Sequence, residues 1–313
     1  MIVIGHRGAP AYRPEHTRSS YELAIAAGVD AVEPDLVVSR DGVLVVRHEN
    51  EISGTTDVAD RAEFADRRTT KRVDGEELSG WFAEDFTWAE LATLTARERL
   101  PRLRPDSARF DGEEPILRLR DLFELVQGRG IRLVLEIKHA DFFAALGWDL
   151  AALVAAELAD AGWTEPVVIE SFEPGVLAAL RERGVSAEYV QLVAADGAPA
   201  DLVARFGVAA RPYPSFVTPA GLDGLAHEVD AVSLDKALVL ADPGVVVAAH
   251  ACGLRVYAWT CRPENVFLDE RFRLGSEPTA FGDWRGEWGV LRDAGVDGVF
   301  VDHPDLGVAF FRD

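Results

Sequence analysis

Charged side chains recur in this chain two residues apart, inside short apolar stretches. Glu33 and Asp35 lie in AVEPDLVV, Glu136 and Lys138 lie in LVLEIK, and Glu170 lies in VVIES. In an extended strand, side chains two apart point to the same face. Because a buried charge without a partner is costly, we expect these groups to neutralise one another around a shared ligand.

Three of these side chains, Glu33, Asp35 and Glu136, form a set of oxygen ligands. Such a set favours Mg²⁺ or Ca²⁺ over zinc, which prefers histidine or cysteine. Ligand type alone does not separate Mg²⁺ from Ca²⁺, since ligand number and cavity size decide between them. The sequence therefore predicts one divalent cation, Ca²⁺ or Mg²⁺, held by these carboxylates.

Two histidines and two cations accompany the carboxylates. His6 and Arg7 end the apolar run IVIG, and His48 ends VLVVR. The guanidinium of Arg7 and the ammonium of Lys138 suit a bound phosphate. His6 and His48 are free to transfer protons, one as base and one as acid. A divalent ion, two histidines and two cations together predict hydrolysis of a phosphate ester.

The elements that would position these residues alternate along the chain. Longer helical patterns separate nine strand candidates, at residues 2–5, 31–38, 43–48, 131–138, 166–172, 187–193, 231–235, 255–260 and 298–303. This alternation predicts a parallel sheet with right-handed crossovers. An Asp-Gly turn joins the second and third candidates as a hairpin, which leaves eight parallel strands. We predict an α/β fold, a TIM (β/α)8 barrel with a hairpin extension, whose strand ends gather the site.

Residues 49 to about 114 break this rhythm. They are rich in charged residues and have only a modest helical pattern, TWAELATLTARE. Insertions that follow barrel strands lie at the catalytic face. We therefore expect one phosphodiesterase domain over 1–313, with the segment 49–114 (the insertion) over the barrel mouth.

Composition narrows the classes of partner. Against 32 lysines and arginines stand 53 aspartates and glutamates, a formal charge of −21. Such a surface argues against binding to nucleic acid or an anionic membrane. An anionic substrate would need local cations to offset this field. The sequence leaves the oligomeric state open.

Nothing in the sequence predicts an integral membrane segment. No apolar run approaches the roughly 18 residues of a membrane span. The first apolar stretch, MIVIG, is shorter than the core of a secretory signal. We expect a cytoplasmic protein as written, although a secreted or periplasmic enzyme that had lost its signal peptide would have the same sequence.

Taken in order, the motifs resemble one enzyme family. HRGAP, RPEHT, VEPDLVVSRDGVLVVRHE, LEIK, YAWT and GVDGVFVDHP are similar to those of the glycerophosphodiester phosphodiesterase family, over essentially the whole chain. The insertion resembles that of its longer bacterial branch, which includes periplasmic enzymes. The resemblance implies a TIM barrel that uses one divalent ion to hydrolyse glycerophosphodiesters to an alcohol and sn-glycerol 3-phosphate.

The resemblance also implies individual roles. It makes His6 and His48 the general acid–base pair, Glu33, Asp35 and Glu136 the metal ligands, Arg7 and Lys138 the phosphate contacts, and Trp259 a lining residue of the substrate pocket. We add Glu170 as a further pocket residue. One departure concerns Glu49, which follows His48 where the family usually has Asp. His16, in RPEHT, is expected to order its loop.

Two other functions compete with this interpretation. A lysophospholipase D or a sphingomyelinase-D-like phosphodiesterase would use the same ion and histidines on a lipid substrate, and the charged insertion argues against it. A non-catalytic phosphodiester-binding barrel is the second alternative. Its weakness is that the set of polar residues is complete, since a chain that had lost activity could lose any of them. The sequence does not select the headgroup of a glycerophosphodiester.

Overall fold

The computed structural model describes residues 1–312, which contain twelve strands. They are β1 (Ile2–His6), β2 (Ala31–Glu33), β3 (Asp35–Val38), β4 (Leu44–Val46), β5 (Thr69–Val73), β6 (Glu76–Gly80), β7 (Arg132–Ile137), β8 (Val167–Ser171), β9 (Glu188–Val193), β10 (Ala231–Asp235), β11 (Arg255–Cys261) and β12 (Gly298–Val301).

Ten of these strands form one closed sheet. Their order is β2-β1-β12-β11-β10-β9-β8-β7-β3-β4, and a further β2–β7 pairing closes the barrel. β2 and β3 are one barrel strand interrupted at Pro34, because both pair with β7 in the same register and proline has no N–H to donate. β3 and β4 pair antiparallel as the hairpin extension. The predicted eight-stranded barrel with its hairpin is confirmed.

Thirteen α-helices lie in the described residues. They are α1 (Arg18–Ala27), α2 (Trp88–Leu91), α3 (Pro105–Ala108), α4 (Leu119–Val126), α5 (Ala140–Ala145), α6 (Leu150–Asp160), α7 (Pro174–Glu182), α8 (Ala200–Phe206), α9 (Pro219–Leu225), α10 (Lys236–Ala241), α11 (Gly244–Ala251), α12 (Trp284–Ala294) and α13 (Pro304–Arg312). None of the helices in residues 1–312 is both long and apolar enough to span a membrane.

Helix α1 shows how local sequence sets these bounds. The side chain of Thr17 accepts a hydrogen bond from Ser20 N at the first turn, which satisfies an otherwise unpaired amide. Gly28 ends the helix in the left-handed region, with φ of 90°, a conformation that glycine adopts without steric cost. Both signals are readable in the sequence.

The barrel interior is filled by one buried side chain from each strand. These residues are Ile4, Ala31, Val134, Val168, Val190, Ala231, Tyr257 and Phe300. Because side chains two apart share a face, the residue two positions further along each strand also points inward, at the carboxyl end. On β1, β2, β7 and β8 these residues are His6, Glu33, Glu136 and Glu170. The core layer therefore fixes where the polar residues meet.

The insertion has little regular structure. Its helical pattern forms only the four-residue α2, and β5 and β6 form an antiparallel hairpin that the sequence did not indicate. Arg99 contacts Glu15, which follows β1, and Arg104 contacts Asp302, which follows β12. The insertion thus touches residues at the carboxyl ends of the barrel strands. That residues 1–313 act as one domain stays a prediction.

Candidate active site

Strand register brings the predicted acidic residues together. His6 pairs with Glu33 between β1 and β2, Asp35 pairs with Glu136 between β3 and β7, and Glu136 pairs with Glu170 between β7 and β8. Each of these residues is at most 9% exposed. Neighbouring strands therefore deliver four carboxylates and an imidazole to the same end of the barrel.

Glu33, Asp35 and Glu136 have the geometry of a cation site. One carboxylate oxygen from each lies within 4.8 Å of the others, and Glu33 Oε1 is buried without a hydrogen-bond partner in the described residues. Oxygen ligands of this kind suit Mg²⁺ or Ca²⁺. The residues present fit a divalent ion.

The pKa values of these carboxyls reflect their crowding. Burial and the neighbouring Asp35 and Glu136 raise the pKa of Glu33 well above its usual range. Burial also raises the pKa of Glu136, to about 8, with Asp35 adding to the effect. Burial also acts to raise the pKa of Asp35. Lys138 and other cations outweigh that effect and hold the pKa of Asp35 well below its usual range. The site is short of positive charge, which a divalent cation would supply.

The two predicted phosphate contacts border this cluster. Lys138 Nζ lies 3.1 Å from Asp35 Oδ1 and donates to Glu136. Arg7 Nε lies 3.2 Å from Asp35 Oδ2, and the backbone N–H of Arg7 donates to Glu33 Oε2 at 2.9 Å. Arg7 has φ of 54°, in the left-handed region. Both cations lie beside the acidic cluster and line the same cavity as Glu33 and Glu136.

Each predicted catalytic histidine donates its Nδ1–H to a carboxylate. His6 Nδ1 lies 2.6 Å from Asp302 Oδ1, and His48 Nδ1 lies 2.5 Å from Glu49 Oε1. Both rings line the central cavity, and Nε2 of neither has a hydrogen-bond partner within residues 1–312. Such an Nε2 can accept a proton.

Burial and nearby cations keep these rings neutral. Burial and Arg7 lower the pKa of His6 to about 4, and burial, Arg7 and Lys138 lower the pKa of His48 to about 3. The same arginine and lysine are the groups expected to face an anion. A bound phosphodiester would offset their positive charge and so raise both pKa values.

The cavity at the barrel mouth has a volume of about 340 Å³ and contains most of the predicted residues. Eight of the nine line it: His6, Arg7, Glu33, His48, Glu136, Lys138, Glu170 and Trp259. The ninth, Asp35, lies behind them in the carboxylate cluster. Trp259 donates Nε1–H to Ser233 O at 3.1 Å and packs edge-on against Phe172, so one wall is aromatic.

Several residues that contact the site had no catalytic or binding role in the sequence analysis. Asp302 accepts from His6, and Glu15 accepts from Arg7 Nη1 at 3.1 Å. His16 does more than order its loop, because its Nε2 lies 2.9 Å from Asp35 Oδ2 and its Nδ1 lies 2.7 Å from Tyr21 Oη. Both Glu15 and His16 stand in RPEHT, so the motif itself was the available signal.

Comparison with known proteins finds relatives that match nearly the whole chain. A glycerophosphodiester phosphodiesterase of Arabidopsis thaliana, GDPD6, is 28% identical over 96% of this chain and 82% of its own. One from Treponema pallidum is 26% identical over 99% of this chain and 91% of its own.

Solved structures share the fold. A putative glycerophosphoryl diester phosphodiesterase from Silicibacter pomeroyi has a TM-score of 0.70 at 24% identity, covering 100% of this chain and 93% of its own. An Oleispira antarctica phosphodiesterase, solved in complex with the product sn-glycerol-3-phosphate, has a TM-score of 0.69 at 21% identity, covering 100% and 97%. The profile of the glycerophosphoryl diester phosphodiesterase family matches residues 6–306. The chain belongs to that family.

Proposed function

We propose that this chain hydrolyses glycerophosphodiesters to an alcohol and sn-glycerol 3-phosphate, using a divalent cation and the pair His6 and His48. The observation that carries the proposal is the cavity that both imidazoles line, each with Nδ1 on a carboxylate and Nε2 unpaired. Family membership and the product held by the Oleispira antarctica relative support the same substrate class.

In this proposal, positive charge selects the phosphodiester. The chain carries a formal charge of −21, so an anion needs local cations at the site. Arg7 and Lys138, both less than 10% exposed, would bind the non-bridging phosphate oxygens. Glu33, Asp35 and Glu136 would hold the metal ion, which supplies further positive charge where the transition state becomes more negative.

The histidines would move two protons. Nε2 of one ring takes the proton of the attacking hydroxyl, for which the glycerol 2-hydroxyl is a candidate. The new P–O bond then gives a cyclic phosphate as the bond to the alcohol breaks. Nε2 of the other ring, which has to be protonated when the diester is bound, gives that proton to the departing alcohol. Water opens the cyclic phosphate with the proton transfers reversed, so one water is consumed and both rings return to their starting state.

Two residues would shape the space around the substrate. The indole of Trp259 is held by the hydrogen bond from its Nε1–H to Ser233 O. Its ring would pack against the carbon atoms of the substrate. Glu170 is 1% exposed and has an unpartnered Oε2 beside the carboxylate cluster. We keep Glu170 as a pocket residue that contacts polar groups of the substrate.

The direct test is release of sn-glycerol 3-phosphate from glycerophosphocholine. The purified protein is treated with EDTA and then supplied with Mg²⁺ or Ca²⁺ in separate reactions. We expect no release with EDTA and restored release with at least one ion. A panel with choline, ethanolamine, glycerol and inositol headgroups then defines the preferred alcohol.

A parallel reaction with lysophosphatidylcholine tests the lipid alternative. We expect glycerophosphodiesters to be cleaved faster, because the insertion is rich in charged residues and its Arg99 and Arg104 contact residues at the carboxyl ends of the barrel strands. Cleavage of the lipid alone would replace the proposal with the lysophospholipase D alternative. Binding of glycerophosphocholine without turnover under either ion would favour the non-catalytic barrel.

A further inference from the structure

Both candidate catalytic histidines belong to the same kind of three-residue chain: an imidazole, a carboxylate and an arginine. The chains are His6–Asp302–Arg104 and His48–Glu49–Arg99. Both arginines come from the insertion, residues 49–114, and the proposed mechanism uses neither of them. Neither arginine lines the cavity in which the chemistry would occur.

Arg99 joins two carboxylates of the site. It donates to both oxygens of Glu15, at 2.8 and 2.7 Å, and to both oxygens of Glu49, at 2.6 Å each. Glu49 in turn accepts from His48, and Glu15 accepts from Arg7. A bidentate pair fixes the plane of a carboxylate as well as its distance. Arg99 therefore links the proton-transfer ring to the phosphate-binding arginine.

Arg104 has the corresponding place beside His6. Its Nη2 donates to Asp302 Oδ2 at 2.7 Å and its Nε donates to Glu264 Oε1 at 3.0 Å. The other oxygen of Asp302 accepts from His6. Arg262 also donates to Asp302 Oδ2, at 2.6 Å. With both oxygens engaged, the carboxylate of Asp302 cannot rotate away from the imidazole.

We propose that Arg99 and Arg104 are positioning residues, through which the insertion fixes the ring orientation and tautomer of His48 and His6. Each arginine holds the carboxylate that accepts the Nδ1–H of its histidine, so that Nε2 faces the substrate. The insertion is then part of the catalytic unit as well as a cover. This inference rests on the proposed function for the role of the rings, but their tautomers can be measured independently.

The two arginines should differ in steady-state kinetics. Arg104→Met should lower kcat by about 10- to 100-fold, the range for residues that orient a catalytic group, with KM nearly unchanged. Arg99→Met should lower kcat and also raise KM, because Arg99 holds Glu15 and hence Arg7. Arg102→Met, at an exposed position of the same loop, is the matched control and should behave as wild type.

Double variants separate positioning from general damage. If each arginine acts through its histidine, Arg104→Met should cause no further loss in a His6→Ala background, and Arg99→Met should cause little further loss of kcat in His48→Ala. Independent, multiplicative losses would overturn the inference. Should Arg104→Met fail to fold, Arg104→Lys keeps the charge but loses the fork geometry and gives the same comparison.

Nitrogen NMR on protein with ¹⁵N-labelled histidine provides a readout without turnover. The seven histidines are assigned by single replacement. We expect His6 and His48 to be protonated at Nδ1 in the wild type. Arg104→Met should mix the tautomers of His6 alone, and Arg99→Met those of His48 alone. Unchanged tautomers in both folded variants would overturn this inference, whereas a wild type that cleaves no diester would overturn only the proposed function.

Discussion

Each of the two candidate catalytic histidines belongs to a three-residue chain of imidazole, carboxylate and arginine. The two three-residue chains differ in burial. The side chain of His6 is 11% exposed, and that of its partner Asp302, on a loop that directly follows a barrel strand, is 1% exposed. On the other side, the side chains of His48, Glu49 and Arg99 are each about 30% exposed. His48 follows the hairpin extension, so no barrel strand carries it.

This difference separates two ways of holding an imidazole. Charges interact more strongly where water is excluded, and salt screens exposed pairs more than buried ones. The chain around His6 is therefore held by burial and by three donors to a single carboxylate. In the more exposed chain around His48, Arg99 donates two hydrogen bonds to Glu49 and is itself held by two more to the buried Glu15. We therefore expect the two three-residue chains to differ in how much kcat falls when the carboxylate of each is replaced.

The largest loss of turnover should follow removal of the metal ion or of one of its ligands, which lie between His6 and His48. Chelation of the wild type should lower turnover by about 10³-fold or more, since the ion contributes several kcal/mol to transition-state stabilisation. Glu33→Ala should show a similar loss and no further response to EDTA. Glu182→Ala, at an exposed position on α7, is the control. A Glu33→Ala enzyme that EDTA inhibits and the usual metal concentration rescues would contradict this assignment.

Removal of either ring is the next largest change. His6→Ala and His48→Ala should each lower kcat by about 10²- to 10⁴-fold, the usual contribution of a general acid or base. The assay is glycerol 3-phosphate release at saturating substrate, with the exposed His227→Ala as control. Near wild-type turnover in both variants would remove the two histidines from the mechanism.

Replacement of Asp302 or of Glu49 tests whether the more buried carboxylate contributes more to turnover. Asp302→Asn should lower kcat by about 100-fold, because next to His6 it removes the counter-charge of Arg262 and one of the two carboxylates that pair with Arg104. Glu49→Gln should cost about tenfold, since water reaches that pair. Equal losses, or a larger loss for Glu49→Gln, would show that burial does not set the importance of the two chains.

The smallest effect concerns Glu98, which directly precedes Arg99. Its carboxyl accepts from Ser107 Oγ and Leu100 N, and burial raises its pKa to about 7. The folded state therefore holds this proton more tightly than the unfolded state. Its contribution to stability is present below about pH 4.5 and is lost as the pH rises to about 7.

The variant Glu98→Gln should remove this pH dependence. Thermal unfolding at pH 5 and pH 8 is compared for the wild type and the variant, and the variant should gain stability relative to the wild type at pH 8. The same difference in melting temperature at both pH values would refute the raised pKa of Glu98.

Much of the site could be predicted because strand periodicity and burial act together. Glu33, Glu136 and Glu170 lie two residues after apolar side chains that fill the barrel, so their direction followed from the pattern. The same two-residue periodicity in GVFVDH places Asp302, two residues after Phe300, at the barrel mouth. It does not predict which side chain Asp302 binds.

The arginines of the insertion carried no such signal. Arg99 meets partners 84 and 50 residues away along the chain, and Arg104 meets Asp302 across 198 residues. RERLPRLRP has no periodicity that fixes a direction for either side chain. The hairpin β5–β6 was missed for a related reason: its strands, TTKRV and EELSG, are polar and mostly exposed, without alternating apolar residues.

The central claim, that His6 and His48 divide the two proton transfers, is tested most directly by changing the leaving group. Turnover of wild type, His6→Ala and His48→Ala is measured on glycerophosphocholine and on the p-nitrophenyl ester of glycerol 3-phosphate, whose phenolate leaves without a proton. We predict that one variant recovers to within about tenfold of wild type on the activated ester, because it lacks only the acid. The other should stay impaired on both substrates. Equal impairment of both variants on both substrates would contradict the claim.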